Sequence, residues 1–316
     1  MNNAPADFVV TKEHRRFAEF CEACRHYRYI GLCYGPPGVG KTLSARSYAQ
    51  WDRVETSQPV KDASVIALAD ALDSDTVFYT PPVVHTPGQV ERDIAHLRSA
   101  LRSIRVETLE RTQRVQLDAV HKDARAQEEE RQRRILTELD WFADPPEHLE
   151  PPPSAYLQLS RECHHALRQI DDPTTLVIID EADRLKMTAL EQVRDIFDHG
   201  GIGLVLVGMP GMEKRLSRYP QLYSRVGFVH AFRPLSAAEV RQLLQHKWLP
   251  LGVVFPEDGW ADEVVLAAII RITGGNFRLL HRLITQIARL MAINAMQKVT
   301  GQVVETARES LVIGTA

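Results

Sequence analysis

The sequence predicts an α/β fold: a parallel sheet flanked by helices, interrupted by a long helical insertion and followed by a smaller α-helical domain. Three observations carry this. Short, wholly apolar runs at Ile30–Tyr34, Leu176–Ile179 and Gly203–Gly208 read as strands buried on both faces, and they alternate with helical patterns. From Ser236 to the C-terminus the pattern is helical throughout. Between Gln89 and Phe142 there is neither proline nor glycine. The expected division is an α/β domain over 1–234, with the insertion at about 88–153, and a smaller helical domain over 235–316.

The 316 residues are 44% hydrophobic and 25% charged, enough for a substantial core without disulfides. A formal net charge of −3 excludes a globally basic, nucleic-acid-coating protein, so any such surface is a local patch. No apolar run reaches spanning length and the first residues lack a basic-then-apolar leader, which predicts a soluble, cytoplasmic protein without membrane contact.

Residues 12–28 read as an amphipathic helix. Phe17, Phe20, Cys21 and Cys24 recur at helical spacing and mark its buried face. Cys21 and Cys24 also form a C-x-x-C, but no second pair with zinc spacing accompanies it, so packing as small hydrophobes is the simpler reading. The outer face sets Lys12, Arg15, Arg16, Arg25 and Arg28 against Glu13, Glu19 and Glu22, the pattern of a solvated face.

The strand Ile30–Tyr34 runs into Gly-Pro-Pro-Gly-Val-Gly-Lys-Thr at 35–42, a complete Walker A phosphate loop, and a helix follows from Thr42 to Gln50. Gly35, Gly38 and Gly40 let the backbone curl until its N–H groups face phosphate oxygens. Lys41 reaches the β- and γ-phosphates and Thr42 ligates Mg²⁺. The helix N-terminus adds positive dipole. Gly35, Pro36, Pro37, Gly38, Val39, Gly40, Lys41, Thr42 and Leu43 form the expected nucleotide-binding set, for ATP with Mg²⁺.

Residues 53–75 give no clear element; Thr76–Thr80 is a strand stopped by Pro81-Pro82. Gln89 to Phe142 is dense in strong helix formers and reads as one long helix or a hairpin of two. Leu97, Leu101 and Ile104 stack on one side; Arg98, Arg102 and Arg105 form a basic stripe. Eleven basic and eleven acidic residues balance over this segment, so an ion-paired, solvated helix that buries little is expected. Arg98, Arg102 and Arg105 are its candidate DNA contacts. Pro145-Pro146 and Pro151-Pro152-Pro153 close it. Cys163-His164-His165 falls in a helical pattern and reads as packing before metal.

Leu176-Val-Ile-Ile-Asp180-Glu181 ends a buried strand in two carboxylates. Beside a phosphate loop this is a Walker B strand: Asp180 holds Mg²⁺, and Glu181 stands where a general base aligns the attacking water. The strand Gly203–Gly208, a helix and turn over 211–224, Arg225, and a strand from Val226 to Val229 follow. Ser236-x-x-Glu239 is a capping box that opens the helical tail.

Two further segments complete a resemblance to AAA+ ATPases over residues 30–290. Thr273-Gly-Gly-Asn-Phe-Arg278 resembles the sensor 2 motif, which implies that Arg278 reaches the γ-phosphate from the lid. Tyr223-Ser-Arg-Val226 resembles an arginine-finger segment, which implies that Arg225 acts on ATP held by a neighbouring subunit. Val205-Leu-Val-Gly-Met-Pro-Gly-Met212, with Arg215-Leu216 and Pro220-Gln-Leu222, is similar to the TniB/TnsC group of transposition regulators, relatives of IstB and MuB.

That resemblance implies a homo-oligomer, a ring or helical filament with six or seven subunits per turn. It would assemble on double-stranded DNA with ATP and recruit a transposase or target-selection protein. An ExeA-like secretion ATPase or an initiator or loader ATPase is the alternative. Many AAA+ proteins carry Asn or Thr at the end of the sensor 1 strand to orient water. Here Gly208 and Met209 stand there, which implies slow hydrolysis coupled to assembly and disassembly.

Overall fold

A computed structural model describes residues 8–56, 74–138, 161–163, 165–166, 170–245, 263–296 and 298–311. Phe142, His164, the prolines at 145–146 and 151–153 and residues 57–73 lie outside the described residues. Five parallel strands, β1 (Ile30–Tyr34), β2 (Thr76–Tyr79), β3 (Leu176–Ile179), β4 (Gly203–Gly208) and β5 (Val226–Ala231), pair in the order β2-β3-β4-β1-β5. Every residue of β2, β3 and β4 is buried, as the unbroken apolar runs of β3 and β4 require. The edge strand β5 alternates half-buried and exposed residues and extends two residues past the expected Val229.

Helix α1 (Lys12–Tyr27) is capped by Thr11, whose side chain accepts from the His14 N–H, and it ends at Arg28 in the left-handed region. Phe17, Phe20, Cys21 and Cys24 are all buried, and burial pushes the Cys21 and Cys24 thiols up, Cys24 to about 12. Each large apolar side chain so packed stabilises the fold by about 1.5–3 kcal/mol. Helix α2 (Lys41–Tyr48) stops before the expected Gln50. Gln50 itself turns left-handed (φ 49°) and α3 (Trp51–Thr56) follows, a break that no proline or glycine announces.

Helix α4 (Pro87–Glu138) is one continuous helix, not a hairpin. The expectation that it buries little fails for its first five turns: Val90, Ile94, Leu101 and Ile104 are at most 4% exposed. These residues and Thr108 recur three, four and seven apart, an apolar stripe that the balanced charge count conceals. By compactness the chain forms two units, one from residues within 1–51, 76–94 and 175–316, the other from 52–75 and 95–174. The first turns of α4 therefore belong with the sheet-bearing unit, and the remainder with the second.

After β3 come α5 (Met187–Gly200), β4, and the short helices α6 (Met212–Leu216) and α7 (Pro220–Tyr223). The helix and turn expected over 211–224 are two short helices instead. Pro220 takes the first turn of α7, where its missing N–H costs nothing. Helices α8 (Ala237–Gln245), α9 (Glu263–Thr273), α10 (Phe277–Ile293) and α11 (Gly301–Glu309) surround a core of their own that includes Val240, Ile269, Leu280, Ile284 and Val304. The capping box forms as expected: Glu239 accepts from the Ser236 N–H (3.0 Å) and hydroxyl (2.7 Å), and Ser236 Oγ accepts from the Glu239 N–H (3.3 Å). Glu239 also accepts from the Lys12 N–H at 3.0 Å, and Val9 packs on the same helical core. No helix among the described residues is long and apolar enough to cross a membrane.

Candidate active site

The phosphate loop leaves the C-terminal end of β1, the end of a parallel sheet at which α/β proteins bind ligands. Gly38 and Gly40 hold φ of 81° and 107°, backbone that side-chain-bearing residues rarely adopt. This curl directs the loop into the N-terminus of α2. Lys41 Nζ lies within the loop and donates to the carbonyls of Gly35 (2.6 Å) and Pro36 (2.8 Å). Burial draws its pKa down; Asp180 and Asp183 oppose that shift and Arg278 adds to it.

Asp180 follows the last residue of β3 and is 3% exposed. A carboxylate so buried needs partners. Its Oδ2 accepts from Thr42 Oγ1 at 2.6 Å and its Oδ1 from the Glu181 N–H at 2.9 Å. Strand β4 lies between β3 and β1, so this contact reaches across the end of β4. Hydroxyl and carboxylate oxygens are the donor set that a hard cation such as Mg²⁺ takes, so the residues fit the ion the phosphate loop implies. Glu181 sits in the left-handed region (φ 49°, ψ 40°), which is unusual for a residue with a side chain. It pairs with Arg184, which also donates to the Pro81 carbonyl at 3.0 Å.

The C-terminal helices contribute one wall. Asn276 caps α10 by accepting from the N–H groups of Arg278 and Leu279. Its amide donates to the Pro37 carbonyl at 2.8 Å, while the Arg278 N–H donates to the Gly38 carbonyl at 2.9 Å. Together these elements enclose a cleft of about 360 Å³, within the usual range for ligand pockets.

Of the residues expected from sequence, Pro37, Gly38, Gly40, Lys41, Thr42, Leu43, Asp180, Glu181 and Arg278 line this one cleft. Gly35 and Pro36 stand behind it as acceptors for Lys41, and Val39 is buried beneath the loop. Gly208 and Met209 line it as well. Sequence reasoning gave no role to Asp183, Asn276 or Phe277, although all three touch the cleft or its loop. Asn276 carried a usable signal, since Asn directly before a helix is a cap.

Arg225 does not line the cleft. Its carbonyl accepts from the N–H of Ile30, the first residue of β1, while the phosphate loop leaves the far end of that strand. Five strand residues span about 17 Å, beyond the reach of an arginine side chain. Arg98 and Arg102 are engaged within the second unit: Arg98 Nε contacts Asp172 at 2.6 Å and Arg102 Nε the Ile170 carbonyl at 2.9 Å. Arg105 is exposed.

Residues 24–216 match the sequence profile of an AAA domain, and the chain belongs to this family of P-loop ATPases. A Staphylococcus aureus protein described as a potential ATP-binding protein is 38% identical over 321 residues, covering 98% of this chain and 97% of that one. The Mu-like prophage FluMu DNA transposition protein B of Haemophilus influenzae is 32% identical over 122 residues, 36% of this chain and 39% of that one. The Thermotoga maritima RuvB Holliday junction branch migration motor shares the fold, with a TM-score of 0.50 at 14% identity over 98% of this chain and 72% of that one.

Proposed function

We propose that this chain is an ATP-dependent, DNA-binding regulator of transposition of the TniB/TnsC kind. The observation that carries the transposition reading is the likeness to DNA transposition protein B, which agrees with the Val205–Met212 segment. The ATPase half rests on the cleft, where loop, paired oxygens and helical wall converge.

In this reading the loop N–H groups and Lys41 bind the phosphates of ATP, and Arg278 faces the γ-phosphate from the helical side. Thr42 and Asp180 hold Mg²⁺, which when bound neutralises charge developing on the phosphates. Glu181 aligns the attacking water and takes its proton, for which it must leave Arg184. Arg225, too far from its own cleft, serves a neighbouring subunit, so hydrolysis depends on assembly into a ring or helical filament. That assembly would grip duplex DNA through its backbone and recruit a transposase or target-selection protein.

Retention of duplex DNA measured with ATP, with a non-hydrolysable analogue and without nucleotide tests this reading. The expected result is retention with ATP or the analogue only, with rings or filaments visible in electron micrographs. Negligible retention under all three conditions would remove the transposition reading and leave the ATPase standing.

A further inference from the structure

The expected sensor 1 side chain is missing from Gly208 and Met209, yet the same end of β4 carries a charged group supplied from elsewhere. Asp183 lies in the short 3-10 turn that follows the Walker B strand. Its Oδ1 accepts from the Met209 N–H at 3.0 Å, and the residue lines the cleft beside Asp180 and Glu181. A Cβ on residue 208 would stand 2.9 Å from Asp183 Oδ1 and 2.4 Å from Met212 Sδ. Gly208 therefore leaves the room that the Asp183 carboxylate fills.

The backbone at and just after this residue is also held. Arg215, from α6 after β4, donates to the Asp183 carbonyl at 2.6 Å and to the Leu185 carbonyl. Asp183 is thus fixed to the end of β4 through its side chain and to α6 through its main chain. A group held this way needs no rearrangement to act.

We propose that Asp183 orients the hydrolytic water in place of the side chain that Gly208 and Met209 lack. One carboxylate oxygen stays on the Met209 N–H; the other accepts a hydrogen bond from the water, which Glu181 contacts from its other side. The water oxygen attacks the γ-phosphorus and one of its protons passes to Glu181. The bond from the γ-phosphorus to the bridging oxygen breaks, and its electron pair leaves on the β-phosphate of ADP. Asp183 neither gives nor takes a proton in this step; it positions the water. The inference rests on the ATPase reading above and supplies the contact whose lack implied slow hydrolysis.

The test separates holding the loop from orienting water. In Asp183→Asn the amide oxygen still accepts from the Met209 N–H, so the structural bond survives, while the group facing the cleft loses its charge and becomes a donor. Asp183→Asn should keep the wild-type melting temperature and ATP affinity, measured with a fluorescent analogue, with KM within about twofold. Its kcat should fall by about 10- to 100-fold, the loss expected for one charged hydrogen bond. Gly208→Ala, which crowds the carboxylate without removing it, should lose kcat in the same way. Adding Met209→Asn to Asp183→Ala should restore part of the rate.

Wild-type kcat in Asp183→Asn would overturn the proposal and leave Asp183 as a loop tie. So would an unchanged saturating rate with a raised Mg²⁺ requirement, which would put the carboxylate on the metal side. Wild-type protein that hydrolyses ATP no faster than Lys41→Ala would instead remove the ATPase reading itself, and this inference with it.

Discussion

Arg225 is forked onto Asp198 of its own chain, with Nε 2.5 Å from Oδ1 and Nη2 2.8 Å from Oδ2, while Nη1 donates to the Gln221 carbonyl. The hydrogen bond from Arg225 holds the Asp198 carboxyl below its usual range, with Arg194 contributing through a bond of 2.7 Å to Oδ2. To act on a neighbour's ATP, Arg225 must exchange a carboxylate for phosphate oxygens. Both are planar or tripodal anions that its fork matches, so the exchange keeps the charge paired.

Arg225→Ala should bind ATP and fail to hydrolyse it, a loss of about 10³- to 10⁵-fold if the group acts between subunits. Lys41→Ala should fail to bind but still present Arg225. Mixing the two inactive proteins sets a sound cleft beside a sound arginine at some interfaces, so ATPase activity should partly return. Co-sedimentation must show mixed assemblies. If they form and stay inactive, Arg225 serves only its own chain. Arg215 is then no substitute, because it is committed to the carbonyls of Asp183 and Leu185; Arg218 is the next to test.

Lys41→Ala removes the charge that faces the phosphates and, without ATP-binding subunits to join, should abolish both ATP binding and assembly. Glu181→Gln keeps the shape and loses the base, so it should bind ATP, stall hydrolysis and trap the assembled state. Sedimentation with ATP, run beside a phosphate-release assay, checks both. A Glu181→Gln protein that turns over ATP at the wild-type rate would show that the base lies elsewhere.

Glu239 gives the fold an acid-side pH dependence. Burial pushes its carboxyl up, but hydrogen bonds from Ser236 and from the Lys12 N–H outweigh that, and its pKa is lowered. A carboxylate depressed in the folded state adds stability above its unfolded pKa and loses it as pH falls through the folded value. Glu239→Gln keeps an acceptor for Ser236 but loses the charge, so it should lower the melting temperature at neutral pH by an amount matching about 1 kcal/mol, the difference between hydrogen bonds to charged and to neutral groups. The gap between the two proteins should close as pH falls through and below the ordinary glutamate value, about 4.3. A gap that stays constant across that range would exclude the carboxylate charge as its source.

Arg98, Arg102 and Arg105 should not behave alike in DNA binding. Arg105 is exposed, so Arg105→Ala should shrink the log–log salt slope by about 0.9 for one lost phosphate contact. Arg98→Ala and Arg102→Ala release Asp172 and the Ile170 carbonyl and should show mainly as lower thermal stability. Binding titrations across a salt series distinguish the two outcomes. Equal slopes for all three variants and wild type would remove this helix from the DNA surface.

The parts of this protein legible in its sequence are those written in contiguous residues. Ile30–Tyr34 and Gly203–Gly208 were readable to the residue, because a strand buried on both faces has no alternation to blur its ends. The phosphate loop was readable because its φ values demand glycine at fixed places. The α1 face was readable because four apolar residues keep helical spacing. What stayed hidden depends on contacts between distant segments. Nothing in the run after Asp180 says that Asp183 will meet the Met209 N–H, 26 residues away. Nor does the basic stripe on α4 announce that Arg98 is matched by Asp172, 74 residues on. The break between α2 and α3 lacks any helix-breaking residue, so local propensity could not mark it.

The bonds from Arg278 and Asn276 to the Gly38 and Pro37 carbonyls fasten one end of α10 to the phosphate loop. Its 17 residues extend about 25 Å from that fastening. Geometry then works as gearing: a tilt of about 5° at the loop sweeps the far end of a rod this long through roughly 2 Å. A displacement of that size separates a packed interface from a parted one. Whatever surface the distal turns of α10 offer to another molecule would thus be set by whether a phosphate group occupies a space only a few ångströms wide.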